Sequence, residues 1–315
     1  MSEKFDNYSI EEKEILITGS SGFIGKKLIR SLALRNNVIG VQLEQPEQHM
    51  KNIGVNYIVK DIASLKEKDL PGNIDIVIHL AAILDNPLLE TEQTSRMPLF
   101  EVNIKGTYLL LEIAKKLEIK KFIYGSSGGV YGFGEEIFKE SDPIDKIPLN
   151  FYNLTKLLSE KMCRWYSQFM DTIILRYGAP YGPGTSNPMF KYLIDYSLVN
   201  FDINSSFKYK NYLFNPIYID DAVNITERAT ILEGFHIINV GGPDIVSPLE
   251  ITRNIMNKLR GKKVQELNKN RNEIGRKRIL DIKKIEEILS YKFKFDIEKG
   301  ISETIKSFAN KNLLF

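Results

Sequence analysis

Cysteine is nearly missing from this chain: of 315 residues, only Cys163 carries a thiol. One thiol excludes an intrachain disulfide and any cysteine-based metal cluster. Its place at helical spacing between Ser159 and Tyr166, in an apolar helix, reads as packing. Histidine is scarce too. His49, His79 and His236 stand far apart, so no histidine-based metal site assembles, and no metal is expected. Charge of one sign is not in excess: 43 Lys and Arg against 40 Asp and Glu leave +3. That balance points to neither nucleic acid nor an anionic membrane as partner. No apolar run approaches the roughly 20 residues that a bilayer span needs. Residues 1–12 are mostly polar or charged, without the apolar core of a signal peptide. The expected compartment is the cytoplasm. Internal repeats and low-complexity tracts are also absent.

What the chain does have is a strand, a glycine turn and a helix in immediate succession near its N-terminus. Ile15, Leu16 and Ile17 form a β-type run that stops at Gly19; Gly22 and Gly25 follow; Ile24, Leu28, Ile29 and Leu32 then recur at helical spacing. This order aims unpaired backbone N–H groups and a positive helix end at a phosphate. Gly19 permits the sharp turn, Gly22 a close approach of the backbone to a pyrophosphate, and Gly25 close packing of helix on strand.

Further strands are predicted at 38–41, 57–59, 75–82, 121–124 and 172–176, with helices over 96–117 and 153–170. The run at 75–82 is continuously apolar, as in a parallel strand buried on both faces. Alternation of this kind implies an α/β fold with a doubly wound parallel sheet. Gly178, Pro180, Gly182, Pro183 and Gly184 then crowd into seven residues, a natural exit from the sheet. A return to it is expected at 216–222 and again at 236–240. The tail from Ser247 reads as mostly helical, with Asp281 as N-cap of a helix through Leu289. The chain therefore divides into a sheet domain, 1–177 plus about 216–242, and a smaller, discontinuous, mainly helical one, about 178–215 plus 243–315. The second would close a cleft over the carboxyl ends of the strands.

Tyr152 and Lys156 lie one helical turn apart, hence on one face. A free phenol titrates near pH 10, and lowering it by about three units takes roughly 4 kcal/mol of preferential phenolate stabilisation. A nearby ammonium, a cationic nicotinamide ring and little water would supply that. Tyr152 would then be able to take a hydroxyl proton while hydride leaves the same carbon. Just upstream, Ser126-Ser-Gly-Gly-Val-Tyr-Gly132 ends the fifth strand, where a serine hydroxyl can bond the reacting oxygen.

With these residues in view, the chain resembles the extended short-chain dehydrogenases/reductases, in the branch of NAD-dependent nucleotide-sugar epimerases, dehydratases and reductases. The resemblance runs nearly end to end. It rests on Thr18-Gly-Ser-Ser-Gly-Phe-Ile-Gly25, His79-Leu-Ala-Ala82, Asn103-Ile-Lys-Gly-Thr107, Leu175-Arg-Tyr177, Tyr181-Gly-Pro-Gly184, Ile219-Asp-Asp-Ala222 and Asn239-Val-Gly-Gly242. It implies a Rossmann-type fold and Ser127, Tyr152 and Lys156 as catalytic residues. The cofactor contacts it implies begin with Gly19, Ser21, Gly22, Phe23, Ile24 and Gly25 in the loop. They continue with Gln42, then Asp61 and Ile62 against adenine, then Leu80, Ala81 and Ala82. Tyr177 and Pro180 would flank the nicotinamide, and Lys156 would also hold its ribose. Ser127, Asn187 and Arg271 would touch the substrate, Arg271 at the nucleotide diphosphate. The two long helices imply a homodimer through a four-helix contact.

Several positions depart from the family pattern. Gln42 stands where an Asp or Glu usually meets the adenosine ribose. No arginine lies between Gln42 and Met50 for a 2′-phosphate, and Glu44 and Glu47 would repel one, so NAD is expected rather than NADP. Gly128 and Gly129 replace the Asp-Glu pair of 4,6-dehydratases, which argues against that activity. Ala179 replaces a substrate-side asparagine, and Phe214 an arginine. The aromatic group Phe207, Tyr209, Tyr212, Phe214 and Tyr218 would stack a nucleobase or pack between domains. The expected function is an NAD-dependent epimerase or 4-oxidoreductase acting on a nucleotide-activated sugar. The alternatives are a dinucleotide-binding sensor without turnover and a reductase of a non-sugar carbonyl. His79 is expected to be structural.

Overall fold

The computed structural model describes residues 10–51, 54–84, 95–144, 150–185, 187–200, 212–260 and 276–312. Seven parallel strands form the central sheet: β1 (Glu14–Thr18), β2 (Asn37–Gln42), β3 (Asn56–Val59), β4 (Ile76–His79), β5 (Lys121–Ser127), β7 (Asp171–Tyr177) and β9 (Phe235–Val240). Their spatial order is β3-β2-β1-β4-β5-β7-β9. The order reverses between β1 and β4, which opens a crevice at the carboxyl ends of those two strands. Among the described residues, no helix is long and apolar enough to cross a membrane.

Helices cover both faces of the sheet, which is why its strands are apolar without interruption. Ile15 and Ile17 face one layer together with Leu28 and Ile29 of α1 (Phe23–Leu32). Leu16 and Val77 face the other layer with Leu111 and Cys163. The first layer holds α1 and α7 (Ile219–Ala229), which pack on each other; the second holds α4 (Thr107–Lys116) and α5 (Phe151–Tyr166). Cys163 is fully buried there, as its spacing predicts. One short turn, α2 (Gln48–Lys51), follows β2.

The predicted helix over 96–117 is three pieces. A turn, α3 (Met97–Leu99), leads into a π-helical stretch, Phe100–Gly106, and then α4. The wider π winding lets the Asn103 carbonyl accept from both Thr107 Oγ1 (2.7 Å) and Ser159 Oγ (2.8 Å). Residues 216–222 do not form a sheet strand. Tyr218 makes one isolated bridge with Tyr181, and Ile219 opens α7. Pro216 has no N–H for a ladder, and the acidic pair Asp220-Asp221 suits the first turn of a helix.

After residue 177 the chain adds α6 (Pro188–Val199), α8 (Pro248–Arg260), α9 (Lys283–Leu289) and α10 (Ile297–Asn312). Asp281 behaves as a cap, its Oδ1 accepting from the Lys283 N–H at 3.0 Å. The tail is less purely helical than its sequence suggests. It supplies the centre of a second, parallel sheet, β6-β10-β8, from Ile137–Phe138, Arg276–Leu280 and Tyr212–Phe214 respectively. Asn215 seats this sheet: its Oδ1 accepts from Leu280 N and its Nδ2 donates to Leu280 O, both at 2.9 Å, and to Gly242 O at 3.2 Å. The buried Asp221 clamps the following chain by accepting from Tyr291 Oη (2.5 Å), Lys294 N (3.1 Å) and Phe295 N (3.2 Å).

Candidate active site

Gly19 leaves β1 with φ +69°, and a Cβ there would stand 2.7 Å from the Ala81 nitrogen. A Cβ on Gly25 would stand 2.2 Å from the Gly19 carbonyl oxygen. No side chain caps α1 at Gly22 and its first turn holds no acid, so the helix presents bare N–H groups and its positive end to the crevice. The glycines therefore do what their spacing predicts, in local geometry.

Three adjoining cavities run along the carboxyl ends of the strands. The first, about 400 Å³, is bounded by Gly19, Ser21, Gly22, Gln42, Asp61, Ile62 and Leu80–Ala82. The second, about 380 Å³, shares Gly19, Gly22, Leu80 and Ala82 with it and adds Phe23, Ile24, Gly25, Tyr177 and Pro180. Ser127 and Tyr152 line both the second cavity and the third, about 290 Å³, which reaches under β8 and β10. Lys156 lines the second, and Asn187 the second and third. Arg271, Phe207 and Tyr209 lie outside the described residues. Tyr212 and Phe214 line the third cavity, while Tyr218 stacks on Phe295 at 4.1 Å in the core.

Ser127 ends β5, and its Oγ accepts from the Gly129 N–H at 3.0 Å, so its own proton remains available. Asn150 starts α5 by accepting from Asn153 N at 2.9 Å, which places Tyr152 in the first turn facing Ser127's end of the sheet. Lys156 is buried, and its Nζ donates to the Gly125 carbonyl at 2.7 Å. Burial draws the Lys156 pKa down to about 8. The expectation of a phenol made acidic by its lysine is not met by the protein alone. Burial pushes the Tyr152 hydroxyl up instead. The ammonium stands 5.8 Å from the Tyr152 ring centre and 4.8 Å from that of Tyr124, with one of its protons on Gly125.

Other expected contacts are partly occupied by the protein itself. Gln42 accepts from Ser20 Oγ and donates to Glu44 O, both at 2.8 Å, leaving one amide proton toward the first cavity. Tyr177 commits its hydroxyl to Thr226 Oγ1 at 2.6 Å and offers the cavity its ring. Asn187 caps α6 through Oδ1, which accepts from Met189 N (3.0 Å) and Phe190 N (3.4 Å). Ala179, between the second and third cavities, holds φ +53°, a conformation asparagine tolerates better than alanine.

His79 is structural. Thr107 sends its hydroxyl proton to Asn103 O, so its oxygen accepts from His79 Nε2 (2.9 Å), and Nδ1 accepts from Thr18 Oγ1 (2.6 Å). The ring is thus neutral, and burial, followed by the charge of Lys156, lowers its pKa to about 3. An unfolded histidine titrates near 6.5. Between those values the unfolded chain binds a proton that the native ring refuses, so stability falls as pH falls. The contribution is up to about 1.4 kcal/mol per pH unit. Urea unfolding between pH 7 and pH 5 checks it: a His79→Gln variant should lose one proton's worth of that slope, whatever its own stability.

The profile of the NAD dependent epimerase/dehydratase family matches residues 15–241. The chain belongs to that family. A UDP-glucuronic acid 4-epimerase from Bacillus cereus, solved with UDP-glucuronic acid and NAD, superposes with a TM-score of 0.79 at 28% identity, over 95% of this chain and 99% of that one. A UDP-N-acetyl-alpha-D-glucosaminuronate decarboxylase of Bacillus cytotoxicus is 29% identical over 94% of this chain and 98% of its own. A UDP-glucose 4-epimerase of Vibrio cholerae is 33% identical, but over only 55% of this chain and 53% of its own.

The residues fit the cofactor in the family's name. Side chains at Gly19 and Gly25 would collide with the turn itself, and the uncapped α1 is open to a diphosphate. The two positions after Ser127 carry no side chains, being Gly128 and Gly129. A Cβ on Gly128 would lie 2.9 Å from Leu280 Cδ1, and one on Gly129 would lie 2.1 Å from Asn153 Oδ1. Leu280 and Asn153 occupy the room that side chains at 128 and 129 would take.

Proposed function

We propose that this protein is a cytoplasmic, NAD-dependent 4-epimerase of a nucleotide-activated sugar. The observation that carries the reading is the position of Ser127 and Tyr152 on the wall common to the second and third cavities, with Lys156 buried beside them. The glycine-turn cavities would hold NAD, and the cavity under β8 and β10 the sugar nucleotide, with the segments after residues 178 and 243 as substrate domain. The names of the relatives above make a UDP-sugar the first candidate.

NAD, when bound, supplies the acceptor and donor of the C4 hydride and a positive ring. Tyr152 takes the C4 hydroxyl proton and later returns one; burial alone holds its hydroxyl protonated, so the positive charge of Lys156 and of the bound cofactor ring would have to bring it down for the proton to be taken. Ser127 gives that oxygen a second hydrogen bond. Lys156, charged below about pH 8, orients the ribose and favours the phenolate whenever it forms. Glu44 lies beside Gln42 in the first cavity, which has no arginine among its described lining residues, a setting that favours the free ribose hydroxyls of NAD over a 2′-phosphate. The test is a panel of UDP-sugars, each incubated with protein and NAD and resolved by chromatography. At least one should yield its C4 epimer without accumulating NADH. Accumulation of NADH with a stable oxidised sugar would replace the epimerase with a dehydrogenase.

The outer faces of α4 and α5 support a homodimer. Tyr108, Leu158 and Trp165 are exposed there, and Phe169 just beyond the end of α5. Light scattering should return twice the chain mass, and Trp165→Glu should shift it toward the monomer.

A further inference from the structure

We infer that Asn153 is a specificity-determining residue, whose carboxamide hydrogen-bonds one of the sugar hydroxyls flanking C4, on C3 or on C6. The inference rests on the nucleotide-sugar reading and adds to it a side chain that none of the sequence motifs marks.

Asn153 is the third residue of α5 and is only 5% exposed. Its backbone N–H is taken by Asn150 Oδ1 at 2.9 Å. A side chain at this helix position commonly turns back to the N–H of the capping residue. Asn153 does not. Neither its Oδ1 nor its Nδ2 has a hydrogen-bond partner among the described residues. A buried carboxamide without partners is costly, and its donors and acceptor call for a polar group to complete them. The contrast with Asn103 is plain, since that amide is spent on Ile83 and Thr155.

The chain makes room for this amide. A Cβ on Gly129 would stand 2.1 Å from Asn153 Oδ1, 2.6 Å from Cγ and 2.7 Å from Nδ2. The backbone at Gly129 does not itself require glycine, because its φ lies outside the left-handed region. Glycine at 129 is explained by the carboxamide lying over it.

The amide faces substrate and not cofactor. Asn153 lines the third cavity but not the second, whereas Ser127 and Tyr152 line both. It follows Tyr152 directly, and the Gly129 that it covers lies two residues after Ser127. An oxygen shared by Ser127 and Tyr152 therefore has the Asn153 amide beside it. In a hexose reacting at C4, the neighbouring hydroxyls are those on C3 and C6. A hydroxyl donates and accepts, and so does a neutral carboxamide.

The experiment loads wild type, Asn153→Ala and Asn153→Leu with NAD and titrates each by calorimetry with UDP, UDP-glucose and the 3-deoxy and 6-deoxy analogues of UDP-glucose. Wild type should bind UDP-glucose about 10-fold or more tighter than at least one deoxy analogue, and the analogue affected names the hydroxyl. In both variants that discrimination should shrink to about 2-fold or less, since hydroxyl and partner make a single interaction. Affinity for NAD and for UDP should not change. Leucine keeps the volume of asparagine, so a change seen in Asn153→Ala but not in folded Asn153→Leu reports a cavity and overturns the inference. If one variant does not fold, the other decides alone. Discrimination kept by the folded variants overturns it, as does a wild type that binds UDP-glucose and both analogues alike, or binds none of them. Discrimination that vanishes with Asn153, in a protein that epimerises no sugar nucleotide, would overturn the functional reading and leave this assignment standing.

Discussion

Tyr152→Phe is expected to lower kcat by about 10²–10⁴-fold, the range for losing a positioned acid–base group. NAD binding and thermal stability should stay near wild type. The separation follows from the packing. The Tyr152 hydroxyl has no hydrogen-bond partner among the described residues, and it borders two cavities. Removing it leaves the ring, the helix start at Asn150 and the Lys156–Gly125 bond intact. Ser127→Ala should cost less in kcat and more in stability, because Ser127 Oγ also accepts from Gly129 at the start of the next turn. Steady-state kinetics with parallel thermal melts distinguish these cases. A Tyr152→Phe enzyme with wild-type kcat would remove Tyr152 from the chemistry.

The largest loss of stability is expected behind the site. Glu160 and Arg176 are both about 4% exposed and pair bidentately, Nη2 to Oε2 at 2.7 Å and Nε to Oε1 at 3.0 Å. Glu160 also accepts from Ser126 Oγ at 2.5 Å, and Arg176 donates to Tyr131 Oη at 2.6 Å. Tyr131 passes the chain on to Asn239 Oδ1 at 2.9 Å. The network thereby joins β5, which carries Ser126 and Ser127, the turn 128–131, α5, β7, which carries Tyr177, and β9. Glu160→Gln leaves the guanidinium buried without its charge partner and should cost about 3–5 kcal/mol in urea unfolding. Replacing both partners, as Glu160→Leu with Arg176→Met, should cost much less than Glu160→Gln. A Glu160→Gln variant as stable as wild type would show that the pair is not isolated from water.

The sequence made the cofactor end of the molecule legible and the substrate end only partly so. Gly19, Gly22 and Gly25 are local: turn, approach and packing depend on spacing within seven residues, and the structure shows the close contacts that spacing implies. The apolar strands are legible for the same reason. Ile217-Tyr-Ile219 misled because it is β-branched and aromatic, yet the sheet edge is taken by β9 and the acids at 220 and 221 begin a helix. Asn215 was missed. It matters only through the register of β8 with β10, which joins segments 64 residues apart. Tyr152 and Lys156 were found by spacing, but the sign of the protein's effect on the phenol was not. Spacing reports distance along a helix; it does not report burial.

The most direct test of the account uses a UDP-sugar that the protein turns over, labelled with deuterium at C4 and incubated with NAD. Hydride removal and return at one carbon, with Tyr152 handling the proton, predicts a C4-epimerised product that keeps the label at C4 with no net NADH. Epimer that has exchanged its C4 deuterium for solvent hydrogen, or no turnover of any sugar nucleotide by folded, NAD-bound protein, would contradict it.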